Sequence, residues 1–397
     1  MPTHHRNVIL LGVCQAIFIC GQTTLIFLGG LLGFALAGDK SLATLPVSAV
    51  ILGTATMTIP ASLFMRRVGR RAGFMTGACV GVIGVLVCAL ALHLSSFWLF
   101  ALGALTIGFY NAFCQYYRFA AADAAPPAFR AKAISLVLAG GVVAGVIGPS
   151  LATATRDLVA PISYLGSYIA LALLTLLALL LVSFVRIPRL SEAQRKEKGR
   201  PLPVIMRQPR FLIAALSSMI GYGIMSLLMT ATPLAMIACD HPHAEAGYVI
   251  QWHVVGMFAP SFFSGHLISR FGVNKIMLTG AGLLAACVVV ALSGISVTHF
   301  WVSLFLMGIG WNFLFVGGST MLTTVYTTAE RAKTQAAHDF MVFATTAGSS
   351  FLSGKLLHEF GWQTINYVAV PFIAGVTILV LWYAVAESRR DRPATSA

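Results

Sequence analysis

The sequence predicts an all-α membrane protein of twelve transmembrane helices, arranged as two six-helix halves. Three observations predict this fold class. First, 58% of the 397 residues are hydrophobic and only 10% are charged, whereas soluble proteins carry about 25% charged residues. Second, the apolar residues fall into twelve runs, each close to the roughly 20 residues that cross the hydrocarbon core. Third, motifs of the first half return in the second half at a nearly constant offset.

The apolar runs predict the helices in chain order. The first run is too long for the apolar core of a signal peptide and has no cleavage site of small residues, so we expect it to remain as the first helix. The twelve runs cover residues 8–36, 43–65, 73–95, 97–120, 132–154, 162–185, 211–237, 245–268, 275–296, 299–324, 334–356 and 364–386.

The basic residues predict the orientation. With the N-terminus in the cytoplasm, cytoplasmic segments hold 23 of the 26 Lys and Arg residues. Because cytoplasmic loops are rich in Lys and Arg, both termini are predicted to be cytoplasmic. Basic residues at the cytoplasmic surface of the lipid bilayer account for the net charge of +14. A nucleic-acid partner is therefore not needed to explain this charge. The seven dispersed cysteines argue against a disulfide framework and against zinc or iron–sulfur sites.

The longest polar segment, residues 186–210, is predicted to be a cytoplasmic linker between six-helix bundles at 1–185 and 211–397. The two bundles contain repeats. RRVGRR around Gly69 returns as SRFGVNK around Gly272, 203 positions later. Asn111 returns as Asn312, 201 positions later. A parallel repeat of six helices is typical of the major facilitator superfamily, whose fold the chain is therefore expected to adopt.

Two motifs resemble signatures of that superfamily. The loop after the second helix resembles G-x-x-x-D-R-x-G-R-R and keeps Arg67, Gly69, Arg70 and Arg71. It departs from the signature at the aspartate, where Arg66 stands. Gly148 and Pro149 belong to a run that resembles the glycine-rich motif of the fifth helix, where small residues permit close helix packing.

Methionine and histidine recur at i, i+4 on two consecutive helices. Met225 and Met229 lie on the seventh helix, and His253 and Met257 on the eighth. Counted from the outer surface, Met229 and His253 both lie roughly 12 Å deep, and the other two lie one turn deeper. Thioether and imidazole groups suit Cu(I). We call these four residues the metal ladder and predict that they bind copper.

Other interpretations of these residues stay open. Methionine also packs well in apolar cores, and His253 could be hydrogen-bonded across helices, to Gln251 or to a glutamine of the first helix. Possible additional ligands are Met57, Cys14 and Cys20. Further polar candidates are Gln15, Gln22, Asn111 and Asn312 along a central path, and Asp240, His241 and His243 in an outer loop.

More narrowly, the chain resembles the CcoA-like copper importers. The metal ladder carries this resemblance, together with QYYRFAAAD at 115–123, WNFLFVGG at 311–318 and ERAKTQAAHDF at 330–340. The resemblance implies a bacterial inner-membrane facilitator that supplies copper for cytochrome oxidase assembly. Copper is then the transported substrate, with no resident cofactor, and a copper-carrying small ligand or chaperone is a possible partner. The wider family is also similar to riboflavin transporters.

Three functions follow as hypotheses. The first is inward transport of copper, as Cu(I), by alternating access. The second is transport of a small organic solute such as riboflavin, with Trp252, Trp311 and Phe313 as a stacking wall. The third is a metal sensor that binds without transporting. No catalytic constellation is visible, so an enzyme is not expected. No Asp or Glu falls in the middle third of a predicted helix, which argues against the carboxylate relay of a multidrug antiporter.

Overall fold

The structure is a computed structural model that describes residues 3–39, 42, 45–187, 197 and 199–390. The regular secondary structure of this part of the chain is helical, as predicted. In the first half the helices are α1 Thr3–Leu36, α2 Leu45–Val68, α3 Arg70–His93, α4 Phe97–Cys114, α5 Tyr117–Asp123, α6 Arg130–Ala154 and α7 Leu165–Ser183. In the second half they are α8 Leu202–Met206, α9 Pro209–Ala238, α10 His243–Phe258, α11 Ser261–Phe271, α12 Val273–Ser293, α13 Val297–Leu322 and α14 Arg331–Arg390.

The described residues provide twelve membrane-spanning segments. Ten helical stretches are long and apolar enough to cross a membrane. One of them is α14, which Gly361 interrupts with a φ of 76° and divides into two segments. The twelfth segment consists of α10 and α11, which follow one another with only residues 259–260 between them. The chain is therefore a multi-pass membrane protein, and the helix bounds lie within a few residues of those predicted from sequence.

The helices divide into two compact units. The first unit contains Met1–Gly199 and Thr327–Phe343, and the second contains Arg200–Tyr326 and Ala344–Ala397. Within the predicted linker, residues 188–196 and 198 lie outside the described residues. The repeat pattern assigns Thr327–Phe343 to the second half, but the structure packs this segment within the first unit. Helix α14 therefore begins in the first unit and continues into the second.

The internal repeat is visible in the backbone. Gly69 precedes α3 with φ 92° and ψ 158°, and Gly272 precedes α12 with φ 87° and ψ 152°. Residues with a side chain rarely adopt these positive φ values, whereas glycine does so at little cost. The two repeats therefore connect consecutive spanning segments with the same turn, and this turn explains why the sequence has glycine at both positions.

Candidate functional site

Both helices that carry the metal ladder pack along α13. On α9, Gly221 contacts Leu314, and Ser218 lies against Gly318 of α13. On α10, the backbone of His253 and Met257 lies against Gly308. The two helices are therefore antiparallel, since higher residue numbers on α9 lie beside lower residue numbers on α13. It follows that Met225 and Met229 lie beside the turns of α13 near Gly308. The contacts with a shared neighbour place the four ladder positions at similar levels of the second unit.

His253 is fully buried and bonded to a neighbouring helix. Its Nδ1 lies 2.8 Å from the carbonyl oxygen of Leu304 on α13. A carbonyl can only accept, so Nδ1 carries the hydrogen and donates it. The buried Nε2 has no hydrogen-bond partner. The cross-helix hydrogen bond considered from sequence is thus present, but its partner is neither Gln251 nor a glutamine of α1. Close packing at Gly308, where a Cβ would meet the backbone of α10, brings the carbonyl within reach.

The three methionines of the ladder differ in exposure. Met225 and Met257 are buried, and Met229 is partly buried. Among the described residues, no group of three or more His, Cys, Asp or Glu side chains is placed to hold a metal ion. An ion at this position would therefore depend on thioethers and a single imidazole. Convergence of the four side chains on one ion stays a prediction.

Asn312 joins α13 to the break between α10 and α11. Its side-chain amide is fully buried, and Nδ2 donates to the carbonyl oxygen of Met257 at 2.7 Å and to Oγ of Ser261 at 2.5 Å. The other amide atom, Oδ1, has no hydrogen-bond partner. Nδ2 of Asn312 therefore links α13 to the α10–α11 junction. Oδ1 of the same side chain is a buried acceptor without a donor.

Trp311 lies at the centre of an aromatic group in the second unit. Its ring stacks on Phe315, with centroids 5.1 Å apart, and meets Tyr222 and Phe258 edge-on at 5.2 Å and 5.7 Å. The side chain is 1% exposed, and its Nε1–H has no acceptor. We call Trp311, Tyr222, Phe258 and Phe315 the Trp311 cluster. Sequence reasoning missed three of them, although Trp311 and Phe315 are spaced i, i+4 on one helix face.

The predicted stacking wall is not one surface. Trp252 belongs to a second aromatic group, in which it contacts Trp301 at 5.9 Å and Phe305 at 6.1 Å. Phe313 instead packs against Gly280 of α12. Residues 311 and 313 are two positions apart on a helix and so point in different directions. The other two predicted wall residues, Trp252 and Phe313, therefore lie outside the Trp311 cluster.

The first unit contains a small cavity. It has a volume of about 20 Å³, which is room for about one water molecule. Phe18, Gln22, Tyr110, Asn111 and Thr175 are among its lining residues. The buried hydroxyl of Tyr110 has no hydrogen-bond partner. An organic ligand requires roughly 300–1,000 Å³, so this cavity is too small for an organic solute.

The possible additional ligands lie in the first unit. Cys14 and Cys20 are buried, and the Cys14 thiol is 3.8 Å from the carbonyl oxygen of Ala178, a weak hydrogen bond. Met57 is partly buried on α2. Buried cysteines with such contacts behave as small apolar residues. Their role as copper ligands stays a prediction.

Only one arginine of the signature loop is buried. Nη2 of Arg70 lies 3.3 Å from Oδ2 of Asp123 and also donates to Oε1 of Gln335. Arg331 adds a second ion pair to Asp123, at 3.4 Å. Arg67 and Arg71 are exposed, and Arg66, at the position of the signature aspartate, donates to the carbonyl of Glu197. The sequence did not indicate Asp123 as the partner of Arg70.

The glycine-rich motif of α6 contacts α1. Thr24 donates its hydroxyl to the carbonyl oxygen of Gly148 at 3.0 Å. This bond matches the predicted close approach at that motif. The side chains of Pro149 and His243 lie outside the described residues.

A second ionic cluster of the first unit is more fully buried than the Arg70–Asp123 pair. Nη2 of Arg118 is 2.6 Å from Oδ1 of Asp339, and Nδ1 of His338 is 2.8 Å from the same oxygen. The three side chains are at most 2% exposed. We call them the Arg118–Asp339 cluster. The sequence signal was the pair His338–Asp339 inside the otherwise helical run ERAKTQAAHDF.

The chain is similar to known proteins over nearly its whole length. The family model described as Major Facilitator Superfamily matches residues 11–250 and 214–397. The riboflavin transporter RfnT of Brucella anthropi is 44% identical over 375 residues, covering 94% of each chain. Among solved structures, the human organic anion transporter MFSD10 is similar with a TM-score of 0.79 at 13% identity, covering 96% of this chain and 100% of that one. FucP, in its outward conformation, gives 0.76 at 17% identity, with coverages of 96% and 99%.

Proposed function

The chain belongs to the major facilitator superfamily, and on that premise we propose that it carries riboflavin into a bacterial cell by alternating access. The observation that carries the proposal is the 44% identity to a riboflavin transporter, over 94% of both chains. The organic-solute hypothesis from sequence therefore has stronger support than copper import. The CcoA-like resemblance is correct at the level of the superfamily, and its copper assignment has no support from the relatives compared.

The Trp311 cluster supplies chemistry that suits a flavin. The isoalloxazine ring is flat, aromatic and apolar on its dimethylbenzene side, and stacking on aromatic side chains is favourable for such a ring. Its pyrimidine edge offers an N–H donor and carbonyl acceptors. Oδ1 of Asn312 and Nε1–H of Trp311 are an acceptor and a donor without partners. Met225 and Met257 would contribute polarisable contacts to the ring instead of binding a metal.

Copper remains the second candidate because of one observation. His253 donates Nδ1–H to a backbone carbonyl and keeps Nε2 unpartnered, which is the arrangement that metal-binding histidines commonly have. In this candidate, His253, Met225, Met229 and Met257 pass Cu(I) along the carrier, and a copper-carrying small ligand or chaperone delivers it. The imported copper would then supply cytochrome oxidase assembly.

Transport by the purified protein distinguishes the candidates. We expect proteoliposomes to take up labelled riboflavin saturably, with competition by unlabelled riboflavin. In parallel samples, Cu(I) uptake should equal that of protein-free liposomes. Copper uptake without riboflavin uptake would transfer the assignment to the copper importer. Binding of copper without transport of either solute would support the sensor.

A further inference from the structure

Three fully buried polar side chains lie where α10 packs on α13. Nε2 of His253, Nε1 of Trp311 and Oδ1 of Asn312 have no hydrogen-bond partner among the described residues. The three side chains are at most 1% exposed. Most buried polar atoms in folded proteins are hydrogen-bonded, because a buried donor or acceptor without a partner is costly. Three such atoms along one pair of helices therefore indicate a bound molecule that supplies the partners.

His253 lies a short way along the helices from the Trp311 cluster. Phe258, a member of that cluster, follows His253 by five residues on α10. At 1.5 Å per residue, the two are about 7.5 Å apart along the helix axis. On α13, Leu304 precedes Trp311 by seven residues, which is about two turns and nearly the same face of the helix. A solute whose ring lies on the Trp311 cluster therefore needs a polar extension to reach His253.

The hydrogen on Nδ1 of His253 decides what Nε2 can bind. Nδ1 donates to the carbonyl oxygen of Leu304 at 2.8 Å, so Nε2 of the neutral ring has a lone pair and can only accept. The two nitrogens are on opposite sides of the ring, and Nε2 points away from that carbonyl. Its partner must therefore be an O–H or N–H donor.

Riboflavin has donors at two places. The N–H of the pyrimidine edge belongs to the ring, and it matches Oδ1 of Asn312, the residue that follows Trp311. The hydroxyls of the ribityl chain extend beyond the ring. They match the acceptor that is farther from the Trp311 cluster, which is Nε2 of His253.

We propose that Nε2 of His253 accepts a hydrogen bond from a hydroxyl of the ribityl chain, and that this bond makes the carrier selective for flavins with a polyhydroxylated chain. The proposal rests on the proposed transport of riboflavin and adds the residue that recognises the chain. A flavin without these hydroxyls leaves the buried Nε2 without a partner. Sites built to bond a solute hydroxyl discriminate against analogues that lack it for this reason.

Lumiflavin tests the proposal with the wild-type protein. It has the ring of riboflavin with a methyl group in place of the ribityl chain. In proteoliposomes, unlabelled riboflavin should inhibit uptake of labelled riboflavin at a concentration roughly tenfold below that of lumiflavin, the factor that one buried hydrogen bond contributes. Equal inhibition by the two flavins would overturn the proposal. Absence of riboflavin uptake would refute the proposed function and this proposal with it.

Two substitutions assign the preference to Nε2. His253→Asn keeps an N–H near the position of Nδ1, so it retains the bond to Leu304, but it has no atom at the position of Nε2. It should raise the inhibitory concentration of riboflavin about tenfold and leave that of lumiflavin unchanged. His253→Gln places an amide oxygen near the position of Nε2 and should recover part of the preference. Gln251→Ala, at an exposed position of α10, is the control and should match wild type for both flavins.

The ratio between the two flavins separates recognition from packing. An equal loss for riboflavin and lumiflavin in His253→Asn would show that the ring only packs, which overturns the proposal. An unchanged ratio in a variant that takes up riboflavin would overturn it as well, while riboflavin transport itself would stand. Elution of each variant as a monodisperse peak confirms folding. If His253→Asn does not fold, the lumiflavin measurement on the wild-type protein decides.

Discussion

Nδ1–H of His253 donates to the carbonyl oxygen of Leu304 at 2.8 Å and so joins α10 to α13. The bond fixes the tautomer of the imidazole, because the carbonyl can only accept. It also directs the unpartnered Nε2 to one place in the interior of the second unit. The same geometry would serve a helix-packing histidine or a ligand-binding one, and substitutions at this position separate the two roles.

Substitution of His253 by Ala should destabilise the protein. The variant loses a buried hydrogen bond, worth about 0.5–1.5 kcal/mol, and leaves a cavity. We expect a lower midpoint of thermal unfolding in detergent. His266→Ala is the matched control, because His266 is exposed on α11. If His253→Ala has the wild-type midpoint but loses riboflavin or copper uptake, the ring acts on the solute rather than on packing.

Substitution of Trp311 by Leu should impair riboflavin uptake. The change removes the ring that stacks on Phe315. A stacking partner for a flat ring is worth about 1–3 kcal/mol, so uptake at low riboflavin concentration should fall roughly tenfold. Trp311→Phe keeps a ring and should lose less.

Trp301→Leu is the control for this measurement. Trp301 is on the same helix and also stacks on a phenylalanine, Phe305, with centroids 5.8 Å apart, but it lies outside the Trp311 cluster. Uptake and membrane protein level should be measured in the same preparations. An equal loss in Trp301→Leu and Trp311→Leu would remove the Trp311 cluster from the solute path.

The fold follows from sequence because each element depends on local information. The length of an apolar run is set by bilayer thickness, which is why the start of α13 and the end of α6 fall within a few residues of prediction. The positive φ of Gly69 and Gly272 follows from the repeated motif. These features require no knowledge of which helices are neighbours.

The sites are harder to predict from sequence than the fold, because they depend on which helices contact one another. Asp123 pairs with Arg70 from 53 positions away, and Arg118 pairs with Asp339 from 221 positions away. No spacing rule connects such residues. The partner of His253 is a backbone carbonyl, which every residue has, so the sequence contains no signal for it. The depths of the ladder residues were counted along each helix, and they stay a prediction, as does the convergence of the four side chains.

Substitution of Gly272 by Ala should destabilise the second unit. Its φ of 87° with ψ 152° costs a residue with a Cβ about 1–3 kcal/mol, although the space around it is open. Gly282→Ala is the matched control in α12, because its surroundings are also open and alanine is the better helix former by about 1 kcal/mol. Thermal unfolding in detergent should therefore shift down for Gly272→Ala and stay or rise for Gly282→Ala. Opposite shifts would show that the turn tolerates a side chain.

The predicted orientation can be tested by cysteine labelling. Residues 186–210 are expected on the cytoplasmic side because of their eight basic residues. In a cysteine-free background, Ser191→Cys should resist a membrane-impermeant maleimide in intact cells and react after lysis. Asp157→Cys, in the exposed connection between α6 and α7, should react in intact cells. Labelling of Ser191→Cys from outside would reverse the orientation.

The ion pair between Arg118 and Asp339 should show strong coupling in a double-mutant cycle. Arg118→Gln and Asp339→Asn each leave one buried charge without its partner, and we expect each to cost about 3 kcal/mol, at the lower end for broken buried pairs. The double variant removes both charges and keeps two polar side chains that can bond to each other. Its stability should therefore lie closer to wild type than either single variant. The measurement is thermal unfolding of the four proteins in the same detergent and buffer. A double variant that loses the sum of the two single losses would show that the two groups act independently, because only interacting residues depart from additivity.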